Sequence, residues 1–532
     1  GICSVKFANF GYPSHLRVNM ASKLIILFFY YFHSKTVLAL DPTKLLGNIS
    51  VDPSDIKAAS LDFGNISHIE SLAVLYPNSA LDIVHLVKKA YRSPKGFNVS
   101  ARGNGHSTNG QSQVANGVVI DMSGTKAKLL RSEPAQGPMG PYVDVWGGDL
   151  WINVLNWTLR YGLAPKSWTN YLDLTVGGTL SNAGIGGQSY VHGPQTSNVY
   201  ELDVVTGKGE LITCSKGQNS KLFYGVLGGL GQFGIITRAR IALETAPESA
   251  FLIEATYYDF SVFTKDQEYL ASLHDKPASE RFDGVLGYVY INQGVVSYVL
   301  EVIKYFSKST EDTARKEIDI LLVKLDFIPS TITRSNFSYV AFLDRLRQLE
   351  ADERKNGTWN VPHPWIDLFV PKSGIAEFEK GIFRGILGNS TNGYLAVYPL
   401  NRNNMGYSLD LVSVIMHEMI LTANPDLHTQ ALPFCIFVSQ LLTVVGYGIR
   451  EDEVVDPRDK VINHKYWEKS RKYMVAKLKS ESEEGLEDSE TEADPIVVGQ
   501  ATVSWPAATT VPVVSTRTIP HNIASLYSYM ES

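Results

Sequence analysis

The sequence Ser100-Ala-Arg-Gly-Asn-Gly-His-Ser-Thr-Asn-Gly-Gln111 is a glycine-rich turn between two apolar runs, and the rest of the chain is organised around it. The runs at 96–99 and 118–122 predict one strand on each side of it. Its three glycines allow a sharp turn with inward-pointing N–H groups, an arrangement that suits a diphosphate. No Gly-Lys-Ser/Thr follows, as it would in a P-loop, and no long helix follows, as it would in a Rossmann fold.

His106 lies at the centre of this turn, where an imidazole can form a covalent tether to a flavin. A histidine that only bonds to the loop backbone explains the same sequence, and isolated glycine-rich motifs have a high false-positive rate. Taken alone, this stretch therefore favours the simpler interpretation.

The composition narrows the class of protein. A chain of 532 residues predicts at least two domains. The formal net charge of −6 argues against nucleic acid as the main partner. Cys3, Cys214 and Cys435 have a spacing that gives neither a disulfide framework nor a metal site, so we expect Cys214 and Cys435 to be free and buried.

The N-terminal region predicts a secretory signal peptide at 20–39. Met20-Ala-Ser-Lys23 supplies a start and a positive charge, 24–32 is apolar, and Val37-Leu-Ala39 offers a small-residue cleavage site. The apolar run is too short to span a bilayer, so we expect no membrane partner. Seven Asn-x-Ser/Thr sequons fit a secreted, glycosylated chain: Asn48, Asn65, Asn98, Asn156, Asn336, Asn356 and Asn389.

The first half of the chain alternates helices and strands, which predicts an α+β or α/β domain. Ser79 and Asp82 favour a capped helix at 79–91. A second helix is predicted from Asp149, as its cap, to Tyr161, and Gly162 ends it. The remaining predicted elements are a strand at 142–146, a Gly/Ser/Thr-rich loop at 168–187, a hairpin at 198–213 and a strand at 235–242.

From about residue 246 the glycine clusters become rare, and a second α+β domain is predicted whose sheet covers a ligand. Its predicted strands are 251–258, 285–291, 295–305 and 393–400, and its predicted helices are 310–325 and 338–354. Near the end, 480–494 is acidic and Ser-rich, and 501–520 has no helical period.

Several longer motifs, taken together, indicate a protein family far more specifically than any one of them does. Those of the first half are Gly105-His-Ser107, Leu174-Thr-Val-Gly-Gly-Thr-Leu-Ser-Asn-Ala-Gly184, His192-Gly-Pro-Gln195, Leu202-Asp-Val-Val-Thr-Gly207 and Leu227-Gly-Gly-Leu-Gly-Gln-Phe-Gly-Ile-Ile-Thr-Arg238. Those of the second half are Phe342-Leu-Asp-Arg345, Val361-Pro-His-Pro-Trp365, Leu368-Phe-Val-Pro371, Gly381-Ile-Phe-Arg-Gly-Ile-Leu-Gly388 and Val397-Tyr-Pro-Leu-Asn401. With these motifs the chain resembles plant cytokinin dehydrogenases (cytokinin oxidases) over roughly residues 60–405.

The resemblance implies an α+β, two-domain fold of the vanillyl-alcohol-oxidase (PCMH) type. It places an FAD-binding domain at 60–245, an α+β substrate domain at 246–470 and an atypical tail at 471–532. It also implies that His106 carries FAD covalently, with a single tether because the region of Thr175 lacks a cysteine. The other implied cofactor contacts are Gly103, Asn104, Gly105, Ser107, Gln111, Asn170, Thr175, Ser181, Ile185 and Ile235.

The implied reaction removes a hydride from the side-chain carbon of an N6-isoprenoid adenine, such as isopentenyladenine or zeatin, and yields adenine and an aldehyde. The implied electron acceptor is quinone-like or oxygen, and the implied protein is a monomer in the apoplast or vacuole. The family base is an Asp, whereas this chain has Asn170 in Trp168-Thr-Asn-Tyr-Leu172. Glu301 matches a carboxylate near the adenine entrance, although an exposed strand glutamate explains it nearly as well.

Two further departures concern the segment around Gln293 and the C-terminus. The segment is shorter than in the family, and 493–500 only faintly matches the family's closing segment. Two alternatives to a cytokinin dehydrogenase therefore stay open. One is a non-catalytic cytokinin-binding homologue, and the other is a carbohydrate or lactone oxidase of the same fold.

Overall fold

The parts of the chain that a computed structural model describes are 48–94, 96–108, 110–123, 131–357, 359, 363, 365–387, 395–401, 404, 434–441 and 510–511. The chain divides into two units, 1–443 with 507–532 and 444–506, and every described residue belongs to the first. The predicted signal peptide, Cys3, and the faint match at 493–500 lie outside the described residues. The boundaries predicted for the domains remain predictions.

The described residues form three β-sheets, with strands numbered in chain order. The first has the order β1-β2-β4-β3-β18, with β1 (Asn48–Ser50), β2 (Ala73–Tyr76), β3 (Asn98–Arg102), β4 (Gly117–Asp121) and β18 (Thr510–Val511). The second has the order β5-β6-β10-β8-β9, with β7 beside β10, and comprises β5 (Ala135–Gly137), β6 (Gly140–Trp146), β7 (Leu163–Pro165), β8 (Val199–Val205), β9 (Leu211–Ser215) and β10 (Ile235–Thr245). The third has the order β14-β11-β13-β12-β16-β17-β15, with β11 (Ser249–Tyr257), β12 (Gly284–Asn292), β13 (Val295–Phe306), β14 (Thr333–Ser338), β15 (Trp365–Pro371), β16 (Leu395–Asn401) and β17 (Phe434–Leu441).

Helices connect and cover these sheets. They are α1 (Pro53–Ala59), α2 (Ala80–Arg92), α3 (Trp151–Thr158), α4 (Val176–Leu180), α5 (Ser189–His192), α6 (Ser220–Val226), α7 (Phe260–Ser272), α8 (Glu311–Leu322), α9 (Tyr339–Leu343), α10 (Leu346–Asn356) and α11 (Ile375–Phe378), followed by a π-helix at Glu379–Ile386. Sheets and helices together confirm the α+β class.

The glycine-rich turn leaves the first sheet between two parallel strands. β3 and β4 pair in register from Asn98 opposite Gly117 to Arg102 opposite Asp121. As predicted, α2 begins after Ser79, and the Asp82 carboxylate accepts the backbone N–H of Ser79 at 3.2 Å. The apolar face of α2 is buried with the sheet's apolar residues in one core. The turn therefore begins and ends at strands that are packed into a buried core.

The second and third sheets share a core. Val143 and Leu202 of the second sheet belong to the same buried cluster as Leu286 and Ile303 of the third. Cys214 is buried and free, as predicted, whereas the side chain of Cys435 lies outside the described residues. Because one apolar cluster joins both sheets, the residues on their facing edges are held at fixed separations.

Three predicted elements differ from the structure. The cap of α3 is Leu150, because the Asp149 carboxylate is buried and pairs instead with Arg131 at 3.0 Å. The predicted loop at 168–187 contains the short helix α4. The helix predicted at 338–354 is two helices, α9 and α10, and Arg345 lies at the break between them.

Candidate functional site

The glycine-rich turn is fastened to the segment before it by one carboxylate. Asp62 accepts hydrogen bonds from the Ser107 hydroxyl at 2.8 Å, the Gly110 N–H at 2.7 Å and the Asn65 N–H at 3.1 Å. Burial raises the pKa of Asp62, although these hydrogen bonds and Arg102 oppose the rise. Two backbone hydrogen bonds, from the Phe63 N–H to the Gly105 carbonyl and from the Gly64 N–H to the Ser107 carbonyl, complete the fastening.

The turn also lies against the loop that carries Asn170. The Asn104 carboxamide donates to the Asp173 carbonyl at 2.8 Å. A Cβ on Gly103 would lie 2.2 Å from the Thr175 hydroxyl oxygen, so only glycine permits this approach. The turn and the loop therefore form one continuous surface, and the sequence-predicted residues Gly103, Asn104 and Thr175 meet on it.

The turn offers backbone donors for an anion. Within the described part of the chain, the N–H groups of Gly103, Asn104 and Gly105 have no protein acceptor. Gly105 has a φ of 68°, which places it in the left-handed region. Successive free N–H groups around a left-handed residue make a concave site for phosphate oxygens. These residues fit the diphosphate of FAD.

His106 is held in a column of rings. Its imidazole stacks on Phe63, with ring centroids 4.1 Å apart, and on Tyr171 at 4.8 Å. On its far side, Phe63 stacks on His363 at 4.3 Å, and a His363 ring nitrogen lies 3.0 Å from the Phe63 carbonyl oxygen. Burial, and secondarily the nearby His363, lower the pKa of His106 to about 3. The imidazole is therefore neutral at physiological pH.

Asn170 faces the third sheet. Its carboxamide nitrogen donates to the Tyr398 hydroxyl of β16 at 2.8 Å. The loop is anchored two residues earlier, where the buried Trp168 indole donates to the Tyr339 hydroxyl at 3.0 Å. The residue after Asn170, Tyr171, donates a hydrogen bond from its hydroxyl to the Glu350 carboxylate. These contacts fix Asn170 beside the ring column of His106.

Glu301 is buried on β13, with 3% of its surface exposed, so its interpretation as an exposed strand residue is wrong. Its carboxylate pairs with Arg345 at 2.9 Å. Burial favours the neutral form of Arg345, but Glu301, Tyr288 and Tyr398 outweigh burial and raise its pKa. Glu301 of the third sheet therefore pairs with Arg345 near the Tyr398 phenol that Asn170 contacts.

The other predicted cofactor residues lie around this site. The Ser100 hydroxyl donates to the Gln111 carbonyl at 3.3 Å, at the end of the turn. Ser181 caps the C-terminus of α4, the helix that begins after Thr175. Ile185 packs on the shared core, and Ile235 is buried in the core beneath β3 and β4. Their contacts with FAD remain predictions.

Comparisons with known proteins agree with this geometry. A family model described as "FAD binding domain" matches residues 71–215. A second, described as "Cytokinin dehydrogenase 1, FAD and cytokinin binding", matches residues 291–422. Cytokinin dehydrogenase 5 of Oryza sativa subsp. japonica is 52% identical over 388 residues, which cover 67% of this chain and 72% of the relative.

The chain belongs to the cytokinin dehydrogenase family. Cytokinin dehydrogenase 5 of Arabidopsis thaliana is 50% identical over 67% of this chain and 70% of that protein. Cytokinin dehydrogenase 1 of the same plant is 44% identical over 72% of this chain and 68% of that protein. Members of this family are FAD-dependent oxidoreductases, so the predicted family, the use of FAD and the enzyme class are confirmed, whereas the covalent link to His106 stays a prediction. A carbohydrate or lactone oxidase is not supported.

Solved structures support the fold of this cytokinin dehydrogenase family member. Chitooligosaccharide oxidase aligns with a TM-score of 0.53 and 15% identity, over 78% of this chain and 83% of that one. The 6-hydroxy-D-nicotine oxidase of Arthrobacter nicotinovorans aligns with a TM-score of 0.50 and 20% identity, over 76% and 82%. At such identities the likeness concerns the fold alone, and it confirms the PCMH-type architecture.

Several residues that build the cytokinin dehydrogenase site had no role in the sequence-based prediction. Asp62 and Phe63 precede the turn, and His363, Arg345 and Tyr398 lie in motifs of the second half. The motifs carried a family signal, but no spacing along the chain indicated which side chains would meet. Phe63 and His363 are 300 residues apart in sequence.

Proposed function

We propose that this protein oxidatively cleaves N6-isoprenoid cytokinins to adenine and an aldehyde, with FAD joined covalently to His106. The observation that carries the proposal is the placement of the His106 imidazole. It lies in the turn whose free N–H groups suit a diphosphate, between the rings of Phe63 and Tyr171. No other histidine belongs to the described part of this turn.

The protonation state of His106 supports the covalent link. With a pKa of about 3, the imidazole keeps a nitrogen lone pair free at neutral pH. A neutral nitrogen can form a bond to carbon, whereas an imidazolium cannot. The stacked Phe63 and Tyr171 rings restrict the orientation of the imidazole, which lowers the entropic cost of bringing it to the flavin.

Different residues of the chain would bind the cofactor and orient the substrate. FAD, when bound, supplies the acceptor for the hydride that leaves the carbon next to N6 of the substrate. Gly103, Asn104 and Gly105 would hold the diphosphate by their N–H groups. Asn170 can orient a polar group by hydrogen bonding but cannot take a proton at neutral pH. Relative to an aspartate, this lowers turnover by about 10²–10⁴.

A second candidate, a protein that binds cytokinin without converting it, is favoured by the same carboxamide. Asn170 donates a hydrogen bond to Tyr398, so its loop is held against the third sheet without a carboxylate. Such a protein would sequester the hormone rather than degrade it.

We also propose that the protein enters the secretory pathway and functions in the apoplast or vacuole, as a monomer that passes electrons to a quinone-like acceptor or oxygen. The side chains of the sequon residues Asn98, Asn156, Asn336 and Asn356 are exposed, so glycans can be attached to them without unfolding the domain. A decrease in apparent mass after N-glycosidase treatment of protein from plant cells tests this point. An unchanged mass would contradict passage through the secretory pathway.

The test of the main proposal is an absorption spectrum of the purified protein before and after acid precipitation, followed by assays with isopentenyladenine and a quinone acceptor. We expect yellow colour in the pellet and slow formation of adenine. The control is His85→Ala, which removes an exposed histidine of α2. His106→Ala should leave the pellet colourless.

The possible results separate the candidates. A colourless native pellet would contradict the covalent link. Tight binding of isopentenyladenine without adenine formation would identify the non-catalytic protein. Turnover of sugars in preference to isopentenyladenine would contradict the cytokinin substrate.

A further inference from the structure

The cleavage reaction needs a proton acceptor that Asn170 cannot provide. Oxidation of a C–N single bond to C=N removes a hydride from carbon and a proton from nitrogen. The hydride goes to FAD under the proposed function, on which this inference rests. The proton needs a basic atom near the substrate nitrogen, and a carboxamide is not basic at neutral pH.

A titratable group lies in direct contact with Asn170. The Tyr398 hydroxyl oxygen accepts the Asn170 N–H at 2.8 Å. Tyr398 is 6% exposed and lies within β16, so its phenol has little freedom to move. A phenol oxygen has a second lone pair and becomes a strong proton acceptor when it is ionised.

A positively charged side chain lies near this phenol. Arg345 is close enough to Tyr398 that the phenol contributes to the raised pKa of the guanidinium. A phenolate at this position would therefore have a cation beside it. The other titratable groups coupled to Arg345 are Glu301, which pairs with it at 2.9 Å, and the phenols of Tyr288 and Tyr305.

The contact between Asn170 and Tyr398 lies beside the turn that carries His106. Tyr171, the neighbour of Asn170, stacks on the imidazole of His106 at 4.8 Å. Asp173, in the same loop, accepts the hydrogen bond from Asn104 of the turn. The loop that carries Asn170 to Tyr398 is therefore the same loop that contacts the turn of His106.

We propose that Tyr398 accepts the N6 proton of the substrate and that Asn170 orients the phenol. The N–H bond breaks as the C=N bond forms, the hydride goes to FAD, and the proton goes to the Tyr398 phenolate oxygen. Loss of this proton to water then restores the phenolate. Arg345 stabilises the negative charge of the phenolate, and the ion pair with Glu301 keeps Arg345 in place.

The experiment compares four proteins: native, Tyr398→Phe, Asn170→Asp and the double variant. The rate of flavin bleaching by isopentenyladenine is measured by stopped flow between pH 6 and pH 10.5. We expect Tyr398→Phe to slow the native protein about 100-fold or more, since it removes the proton acceptor. In the Asn170→Asp background the same change should cost at least tenfold less, because a carboxylate then takes the proton.

The pH dependence of the bleaching rate separates a proton acceptor from a structural residue, because a purely structural role of Tyr398 would not shift it. The native rate should rise into the alkaline range where a phenol ionises, whereas Asn170→Asp should reach its plateau in the acidic range of a carboxyl group. The matched control is Tyr305→Phe, which removes another phenol coupled to Arg345. It should preserve the alkaline rise of the native profile.

Two results would overturn the inference. Equal costs of Tyr398→Phe in both backgrounds would show that Tyr398 only packs. A native protein that binds FAD and isopentenyladenine but never bleaches, while Asn170→Asp does, would show that Tyr398 takes no proton. A preparation without flavin absorbance would instead refute the proposed function itself, and the spectrum distinguishes that failure from the other two.

Discussion

The imidazole of His106 and the phenyl ring of Phe63 lie face to face, with centroids 4.1 Å apart and planes inclined by 17°. Since His363 stacks on the other face of Phe63, this phenyl ring separates two imidazoles. It also keeps solvent from one side of His106. The orientation and the neutral state of His106 therefore depend on a residue outside the glycine-rich turn.

Replacement of Phe63 should impair attachment of the flavin. In Phe63→Leu the apolar volume is largely kept, but the flat surface against both imidazoles is lost. We expect the amount of flavin retained after acid precipitation to fall about tenfold. This ratio corresponds to a loss of about 1.4 kcal/mol in the free energy that positions the imidazole. Phe306→Leu is the matched control, because Phe306 stacks on Phe251 at 4.3 Å within the third sheet. Equal flavin content in both variants would contradict a role for the Phe63 ring.

Removal of the Asp62 charge should loosen the glycine-rich turn. Asn at this position keeps one acceptor oxygen and places an NH₂ group where Asp62 now accepts the Ser107 and Gly110 hydrogen bonds. Hydrogen bonds to charged groups contribute about 1.5–3 kcal/mol each. We therefore expect the ratio of flavin to protein absorbance in purified Asp62→Asn to fall at least about threefold.

The control for this change is Asp312→Asn, which alters an exposed carboxylate in the first turn of α8. It should leave the absorbance ratio unchanged. A native ratio in Asp62→Asn would show that the backbone hydrogen bonds alone hold the turn.

Breaking the buried ion pair should destabilise the third sheet. Arg345→Ala leaves the Glu301 carboxylate without its partner in a position where 5% of its side chain is exposed. Removing one partner of a buried pair costs about 3–5 kcal/mol. Urea denaturation should therefore show a loss in unfolding free energy of about this size.

An exposed pair provides the contrast. Lys265 and Asp326 lie 2.9 Å apart with 71% and 61% of their side chains exposed. Lys265→Ala should leave the midpoint of denaturation unchanged within error, because solvent screens such pairs. A similar effect of both variants would mean that the Glu301 pair is also solvated.

The free energy of unfolding should decrease as the pH is lowered, because of a histidine remote from the turn. Burial, and then the positive charges of Arg281 and Lys166, lower the pKa of His192 to about 4. Between the unfolded pKa near 6.5 and the folded pKa, the unfolded chain binds a proton that the folded protein excludes. The stability contributed by neutral His192 is therefore present above pH 6.5 and is lost as the pH falls towards 4.

His192→Gln should remove this part of the pH dependence. We expect the loss of unfolding free energy between pH 6.5 and pH 5 to be about 1 kcal/mol smaller in the variant than in the native protein. His85→Gln, at an exposed position, should follow the native curve. Parallel curves for the native protein and His192→Gln would show that His192 is protonated in the folded state.

Local sequence patterns predicted most of the elements. Ser79 and Asp82 specified the start of α2, and Gly162, with a φ of 68°, ended the 3₁₀ turn that follows α3. These predictions succeed because caps and left-handed residues act over a few neighbouring positions. Asp149 was misassigned as a cap because its partner, Arg131, is not adjacent in sequence. The single helix predicted at 338–354 is interrupted at Asp344, whose backbone leaves the helical region.

The glycine-rich turn, the PCMH-type fold and the family are predictable from the sequence, because each motif that indicates them consists of neighbouring residues. The separation of His106 from His363 by Phe63, and the contact of Asn170 with Tyr398 across 228 residues of sequence, are visible only in three dimensions. The physical reason is the shared core of the second and third sheets, whose close packing sets which distant side chains come into contact.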